Sequence, residues 1–145
     1  MKNQLTASVL CFLLSACSGP DMDISADIEK QFETSSSTPV NLALVGPSSW
    51  ERVCVIPPYL VDGQAEQILG FKWDVSTGGD DGLSTLVFIK GQEVVAYTEH
   101  PRNKGDLSEV RPQCIARADA NLVRKVGEDG WVYLITEKQS TANNK

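Results

Sequence analysis

The chain has 145 residues, of which 41% are hydrophobic and 22% are charged. These fractions lie near the averages of globular proteins, so the composition excludes a disordered or repetitive chain and favours one small domain. The net charge is −6, and the basic residues are scattered among acidic ones. This argues against nucleic acid as a partner, because phosphate backbones are bound by clustered Lys and Arg.

Residues 1–16 are predicted to be a signal peptide. Lys2 supplies a positive start, and residues 5–14 form a mainly apolar run of the length found in secretory leaders. The run is too short to cross a bilayer, which needs about 20 apolar residues, and no later stretch approaches that length. We therefore expect the leader to direct export and to take no part in the fold.

The leader ends in Leu14-Ser15-Ala16-Cys17, which resembles the lipobox of bacterial lipoproteins. The resemblance implies that a diacylglyceryl group is attached to the Cys17 thiol. It also implies that a dedicated peptidase recognises Leu14, Ser15 and Ala16 and cuts before Cys17. Because two or more long acyl chains give stable attachment, we expect the protein to be anchored to a membrane and not to span it.

The residues after Cys17 indicate which membrane holds the anchor. In lipoproteins of enteric bacteria, Asp directly after the lipidated Cys favours the inner membrane, whereas this chain has Ser18 and Gly19. By this analogy, we expect the protein in the cell envelope, on the periplasmic face of the outer membrane.

Residues 17–39 are predicted to be a tether between the lipid and the domain. They combine Gly, Pro, acidic residues and a run of Ser and Thr, as flexible linkers do. Ile24, Ile28 and Phe32 follow one another at intervals of four, which predicts a short amphipathic helix instead. The sequence leaves the choice between linker and helix open.

Residues 40–138 are predicted to form the folded domain, built mainly from β-strands. The strand-like segments are rich in β-branched and aromatic residues and are separated by turn residues; they are PVNLALV, RVCVIPPY, FKWDV, LSTLVFIK, EVVAYTEH and WVYLITEK. Gly91-Gln92 predicts a tight hairpin turn, because Gly accepts a positive φ. Residues 127–130 predict a second hairpin.

One helix is predicted between Asp62, as its N-cap, and Gly70, which can end a helix in the left-handed conformation. Residues 114–126 are ambiguous between helix and strand, and residues 139–145 are predicted to be a flexible tail. The whole pattern predicts a small single α+β domain. Its mainly antiparallel sheet would contain hairpins and carry one or two helices on one face.

Two cysteines, Cys54 and Cys114, remain in the exported domain, because Cys11 leaves with the leader and Cys17 carries lipid. In an oxidising compartment this pair predicts a disulfide. Closing a loop of about 60 residues would stabilise the domain by about 4 kcal/mol in the chain-entropy model. Two buried free thiols are the alternative.

No metal site and no cofactor are expected from the sequence. It contains neither C-x-x-C nor a cluster of Cys and His that could hold zinc. Asp80-Asp81-Gly82 resembles part of a calcium loop but lacks its alternating acidic ligands and terminal Glu. A plain turn is therefore favoured at these residues.

His100 is the only histidine, and it is predicted at a strand end, where binding and catalytic residues often lie. A triad could be composed of Ser84 or Ser108, His100 and Asp106. However, no G-x-S-x-G motif is present, and any chain of this length offers these residue types by chance. A surface histidine without a catalytic role is favoured, and the catalytic residues, if any, are unknown.

Most aromatic residues are predicted to lie in the core. Trp50 precedes a strand and Trp131 follows a turn. Either could instead be an exposed anchor for a partner, since such aromatics contribute strongly to interface energy. The sequence does not decide between these uses.

Three functional classes remain. The favoured class is a non-enzymatic envelope lipoprotein whose disulfide-braced domain binds another protein or a cell-wall component. It is favoured because the sequence has no phosphate loop, metal cluster or recognisable nucleophile. The second class is a small periplasmic hydrolase that uses His100. The third is a carrier of a small apolar ligand between the sheet and a helix.

Overall fold

A computed structural model describes residues 19–61, 63–74 and 79–142. Within these ranges the chain forms three α-helices and seven β-strands, in two antiparallel sheets. The predicted small, single-domain α+β fold is confirmed, although its strands form two sheets and not one. The signal peptide and Leu14-Ser15-Ala16-Cys17 lie outside the described residues, so lipidation of Cys17 stays a prediction.

The helices and strands follow one another along the chain, beginning with a helix and ending with one. They are α1 (Met22–Thr34), β1 (Val40–Asn41), β2 (Arg52–Ile56), α2 (Gln64–Leu69), β3 (Leu83–Lys90), β4 (Glu93–Pro101), β5 (Cys114–Ala116), β6 (Asn121–Val126), β7 (Val132–Thr136) and α3 (Glu137–Ala142). Short 3₁₀ helices cover Leu42–Leu44, Arg102–Lys104 and Arg117–Asp119. One sheet has the strand order β1-β6-β7, and the other has the order β4-β3-β2-β5.

Both predicted hairpins are present. Gly91-Gln92 joins β3 to β4, and Gly91 has a φ of 58°, which a residue with a side chain rarely adopts. Residues 127–130 join β6 to β7, and the Gly127 amide donates to the Trp131 carbonyl oxygen at 2.8 Å. Local turn chemistry therefore sets these two strand pairings.

Two strand predictions need correction, and one ambiguous segment is resolved. The segment PVNLALV contains only the two residues of β1, because the Asn41 side chain accepts the Ala43 amide at 2.9 Å and starts a 3₁₀ turn. Residues 71–74 form no strand, since Phe71 and Trp73 instead cover the outer face of the four-stranded sheet. The ambiguous residues 114–126 form two strands around a 3₁₀ turn.

The main core lies between the two sheets and α1, and a smaller cluster lies on the other face of the four-stranded sheet. Strand β3 contributes to both, because successive side chains point to opposite faces. Leu86 and Phe88 enter the main core, whereas Val87 and Ile89 enter the smaller cluster under α2. This strand is therefore buried along almost its whole length.

Helix α1 belongs to the folded domain, so of the two alternatives left open by the sequence, residues 22–34 form the helix and not a free linker. Ile24 and Ile28 are buried in the main core, and Phe32 packs against it. Arg124 of β6 donates hydrogen bonds to the carbonyl oxygens of Phe32 and Thr38. The apolar stripe of α1 covers a sheet face that would otherwise meet water.

The C-terminal boundary also needs correction, because residues 139–142 are attached to the domain. The Gln139 side chain donates to the Glu109 carbonyl oxygen at 2.8 Å and accepts the Arg111 amide at 2.9 Å. It also accepts the Thr136 amide at 3.0 Å. Residues 143–145 of the predicted tail lie outside the described residues.

Helix α2 and the disulfide brace the outer face of the four-stranded sheet. Gly70 ends α2 with a φ of 81°, as predicted, whereas Gly63 occupies the N-cap position and Asp62 lies outside the described residues. Cys54 and Cys114 stand directly opposite each other on β2 and β5 and form the predicted disulfide. The bridge fastens the short edge strand β5 to the sheet.

Candidate functional site

His100 lies at the end of β4, as predicted, but it is buried and not on the surface, with 0% of the residue exposed. Its Nε2 lies 3.1 Å from the Lys104 carbonyl oxygen, and its Nδ1 lies 3.1 Å from Ser25 Oγ. Because a carbonyl oxygen only accepts, Nε2–H donates to it, and Nδ1 of the neutral ring accepts the Ser25 hydroxyl. Burial lowers the pKa of His100 and so favours this neutral form.

The triad considered from the sequence is not assembled. Ser84 stands opposite His100 across β3 and β4, but its buried hydroxyl makes no hydrogen bond with another described residue. Ser108 donates its backbone amide to Asp106 at 2.8 Å, and that carboxylate bonds elsewhere than to His100. No hydrogen bond therefore joins either serine hydroxyl to His100, or His100 to Asp106.

Ser25, which the sequence pattern did not single out, is the side chain that contacts His100. The signal that could have identified Ser25 in the sequence is its position between Ile24 and Ile28, on the buried side of α1. A serine hydroxyl that donates to imidazole is the first contact of a nucleophile and its base. Here, however, Ser25 is only 4% exposed, so the pair is closed to a substrate in this conformation.

Asp106 is also fully buried, but its hydrogen bonds lead to the surface. Its Oδ2 accepts Arg102 Nε at 2.9 Å and Trp131 Nε1 at 2.8 Å. Arg102 Nη2 lies 2.8 Å from the same oxygen. Burial raises the pKa of Asp106, but the hydrogen bonds from Arg102, Ser108 and Trp131 outweigh it and hold the pKa below its ordinary value. The buried carboxylate is therefore ionised near neutral pH.

The backbone fixes Asp106 beside β7. Its amide donates to the Val132 carbonyl oxygen at 3.0 Å, and the Leu134 amide donates to the Asp106 carbonyl oxygen at 2.8 Å. Gly105 precedes it with a φ of 112°, and a Cβ at this position would lie 2.7 Å from the Leu134 side chain. Gly105 thus permits the close approach that brings Asp106 next to Trp131, the residue before β7.

Arg102 and Trp131 line a surface cleft with a volume of about 330 Å³. We call it the Trp131 cleft; its residues are Asp81, Gly82, Arg102, Asn103 and Trp131. Arg102 Nη1 donates to the Asp81 carbonyl oxygen at 2.9 Å, which joins the wall formed after β4 to the turn before β3. Trp131 is 38% exposed, so part of its ring is open to a ligand.

Tyr59 stands beside the cleft and is 74% exposed. Its φ is 65°, which is uncommon for a residue other than Gly and is found more often at functional positions. The nearby Asp81 carboxylate raises the pKa of the Tyr59 hydroxyl. Tyr59 and Trp131 are therefore two exposed aromatic side chains in the neighbourhood of Asp81 and Arg102.

Trp50 does not share this exposure. It is 2% exposed and packs edge-to-face on Phe88, with ring centroids 5.3 Å apart. Of the two tryptophans that the sequence offered as surface anchors, the structure exposes Trp131 and buries Trp50.

The predicted Asp80-Asp81-Gly82 turn is present. Asp80 Oδ1 accepts the Gly82 amide at 2.8 Å, which closes the turn. Among the residues that the structure describes, no group of three or more His, Cys, Asp or Glu side chains is placed to hold a metal ion.

Comparisons of the chain with protein-family models, with curated proteins and with solved structures found no match. Within residues 19–61, 63–74 and 79–142, none of the helices is long and apolar enough to cross a membrane. A function is therefore inferred from the contacts between the chain's own residues.

Proposed function

We propose that this protein is a lipid-anchored protein of the cell envelope that binds a partner through the Trp131 cleft and catalyses no reaction. The observation that supports this proposal is the fully buried Asp106 carboxylate, which holds Arg102 and Trp131 in place at the surface. Burying a charge costs free energy unless it is paired. Fixed side chains around a cleft favour binding, because less conformational entropy is lost when the ligand arrives.

The proposed anchor rests on the lipobox resemblance. The fold limits how far the lipid on Cys17 could lie from the folded domain. The Asp21 amide donates to the Tyr97 carbonyl oxygen on β4 at 2.7 Å. Asp21 lies four positions after Cys17, and an extended chain covers at most about 3.6 Å per residue. A lipid on Cys17 would therefore lie within about 14 Å of this edge of the domain. We place the domain directly on the membrane surface, on the periplasmic face of the outer membrane.

A hydrolase is less well supported, even though Ser25 and His100 are in contact. Both residues are enclosed under α1, and a buried serine cannot meet a scissile bond. A carrier is also disfavoured, because the interior between α1 and the four-stranded sheet is filled by Ile24, Ile28 and Leu86.

The anchor is tested by intact mass and membrane fractionation of the native protein beside Cys17→Ser. A mass gain of lipid size and membrane association, both lost in the variant, are the expected results. An unmodified native protein that fractionates away from membranes would contradict the anchor and leave the cleft as the site of an unanchored binding protein.

The binding site is tested by capture of cell-envelope components with the full-length protein, extracted in detergent. Trp131→Ala is expected to lose what the wild type retains. Leu44→Ala is the matched control, because Leu44 is 75% exposed and lies outside the cleft. Identical capture by the wild type and both variants would overturn the cleft as the binding site.

A further inference from the structure

The Trp131 cleft offers both hydrogen-bond donors and acceptors beside an aromatic face. Among the described residues, the contacts of the Arg102 guanidinium occupy three of its five N–H groups, which leaves donors for a ligand. The exposed Asp81 carboxylate supplies acceptors, and the exposed Asn103 amide has both. A ligand whose groups both donate and accept hydrogen bonds, as hydroxyl groups do, can pair with these donors and acceptors.

The charge of the cleft favours a neutral ligand. The buried Asp106 neutralises Arg102, while Asp81 of the cleft lining is exposed. An anionic ligand would meet the Asp81 carboxylate, and the one cation among the described residues of the cleft, Arg102, is already paired with Asp106. A cationic ligand would face the guanidinium and leave its N–H donors unpaired, which costs free energy in a partly enclosed site.

The aromatic side chains favour a ligand with a flat, weakly positive face. The face of an indole ring carries negative quadrupolar charge, and the C–H groups on one face of a sugar ring are weakly positive. Asp106 holds Trp131 by its Nε1–H, so the orientation of the ring is fixed before a ligand arrives. The volume of about 330 Å³ lies at the small end of ligand pockets.

We propose that the Trp131 cleft binds a neutral saccharide, with the sugar face stacked on Trp131 and the hydroxyl groups bonded to Arg102, Asp81 and Asn103. This inference rests on the proposed function, because it names the ligand class of the same cleft. A neutral glycan of the cell wall is the source that an anchored envelope protein would meet.

Isothermal titration of the full-length protein with tri-N-acetylchitotriose tests this proposal, in a detergent without a sugar headgroup. The wild type and Leu44→Ala should bind the trisaccharide equally, and Trp131→Ala should bind at least tenfold more weakly. Trp131→Phe keeps an aromatic face but loses the N–H bond to Asp106, so its affinity should be intermediate. Asn103→Ala, an exposed change at the rim, should weaken binding even if Trp131→Ala fails to fold.

Two ligands of the same size range separate the alternatives. Trigalacturonate, an anionic saccharide, and trilysine, a cationic peptide, should both bind at least tenfold more weakly than the neutral trisaccharide. Absent saccharide binding, or tighter binding of trilysine, would overturn the saccharide proposal. If envelope capture still depended on Trp131 in that case, the binding function would stand and only the ligand class would be wrong.

Discussion

His100 and Asp106 are two fully buried polar residues at the same end of β4, yet they serve opposite purposes. The hydrogen bonds of His100 end inside the protein, at Ser25 and the Lys104 carbonyl oxygen. Those of Asp106 end at Arg102 and Trp131, which reach solvent. Burial alone therefore does not distinguish the two residues, whereas the position of their hydrogen-bond partners does.

Burial also acts on the two pKa values in different ways. It lowers the pKa of His100, so the ring stays neutral. It raises that of Asp106, but hydrogen bonds from Arg102, Ser108 and Trp131 bring the net pKa below its ordinary value. A neutral imidazole ring can be buried with two hydrogen-bond partners, whereas a buried ionised carboxylate needs several hydrogen-bond donors. Each contrast leads to a measurable difference in stability.

The largest expected effect is that of Asp106→Ala. Removing one partner of a buried ion pair leaves Arg102 and the Trp131 indole N–H without their acceptor, so we expect a loss of about 3 kcal/mol. Urea denaturation measures this loss. Asp119→Ala breaks an exposed pair with Lys138 and should change stability by less than about 0.5 kcal/mol. Equal effects of the two changes would remove the special role of Asp106.

The second prediction concerns pH and isolates His100. Its pKa is near 6.5 when unfolded and lower when folded, so between these values the unfolded state binds more protons. Stability should therefore be complete above about pH 6.5 and fall as the pH is lowered through the folded pKa. The slope approaches about 1.4 kcal/mol per pH unit. Urea midpoints between pH 7.5 and 5.5 measure it, and His100→Asn should flatten the profile. An equally steep profile in the variant would contradict this assignment.

The third prediction separates unpaired from paired hydroxyl groups. Thr98 Oγ1 is buried without a hydrogen bond to another described residue, so Thr98→Val should stabilise the protein by about 1 kcal/mol. Thr136 is the matched control, because its buried hydroxyl bonds to Gln139. Thr136→Val should destabilise by about 1 kcal/mol. Thermal unfolding of both variants should give shifts of opposite sign, and shifts of the same sign would refute the distinction.

The smallest effect is expected at Lys104, whose backbone serves His100 while its side chain lies near the surface. Lys104 Nζ lies 2.7 Å from Glu29 and 2.5 Å from Glu33. Lys104→Met should lower the urea midpoint slightly, and the difference should disappear at high salt, because exposed pairs are screened. A large loss that persists at high salt would mean that the side chain, and not only the carbonyl, supports the interior.

Local patterns predicted much of the fold. The Gly91-Gln92 turn and residues 127–130 were enough to pair β3 with β4 and β6 with β7, since a short turn leaves few possible registers. Gly70 was enough to place the end of α2. The strand predicted over residues 71–74 was wrong. Apolar residues that cover the face of a sheet have the same sequence pattern as residues that form one of its strands.

Candidate site residues were predicted less well, because the sequence named the residues but not their partners. His100, Asp106 and Trp131 were all considered, and the triad that the sequence did not favour is not assembled. His100 was predicted at the surface but is buried, and Ser25 was missed. Ser25 and His100 are 75 positions apart, as are many pairs that never meet. The sequence offered both Trp50 and Trp131 as possible surface anchors. Only the tertiary packing, which places Trp50 against Phe88 in the main core, decided which of them is buried.

By itself, the sequence determined the short-range features and the cysteine pair: hairpin turns, the end of α2, the α+β class and the disulfide between Cys54 and Cys114. These depend on backbone conformation at a few residues or on the two cysteines within the predicted domain. The tertiary structure alone decided that α1 is part of the core and that Asp106 reaches Trp131. Those outcomes depend on which distant surfaces must be covered and which buried charges must be paired, and neither is set by neighbouring residues.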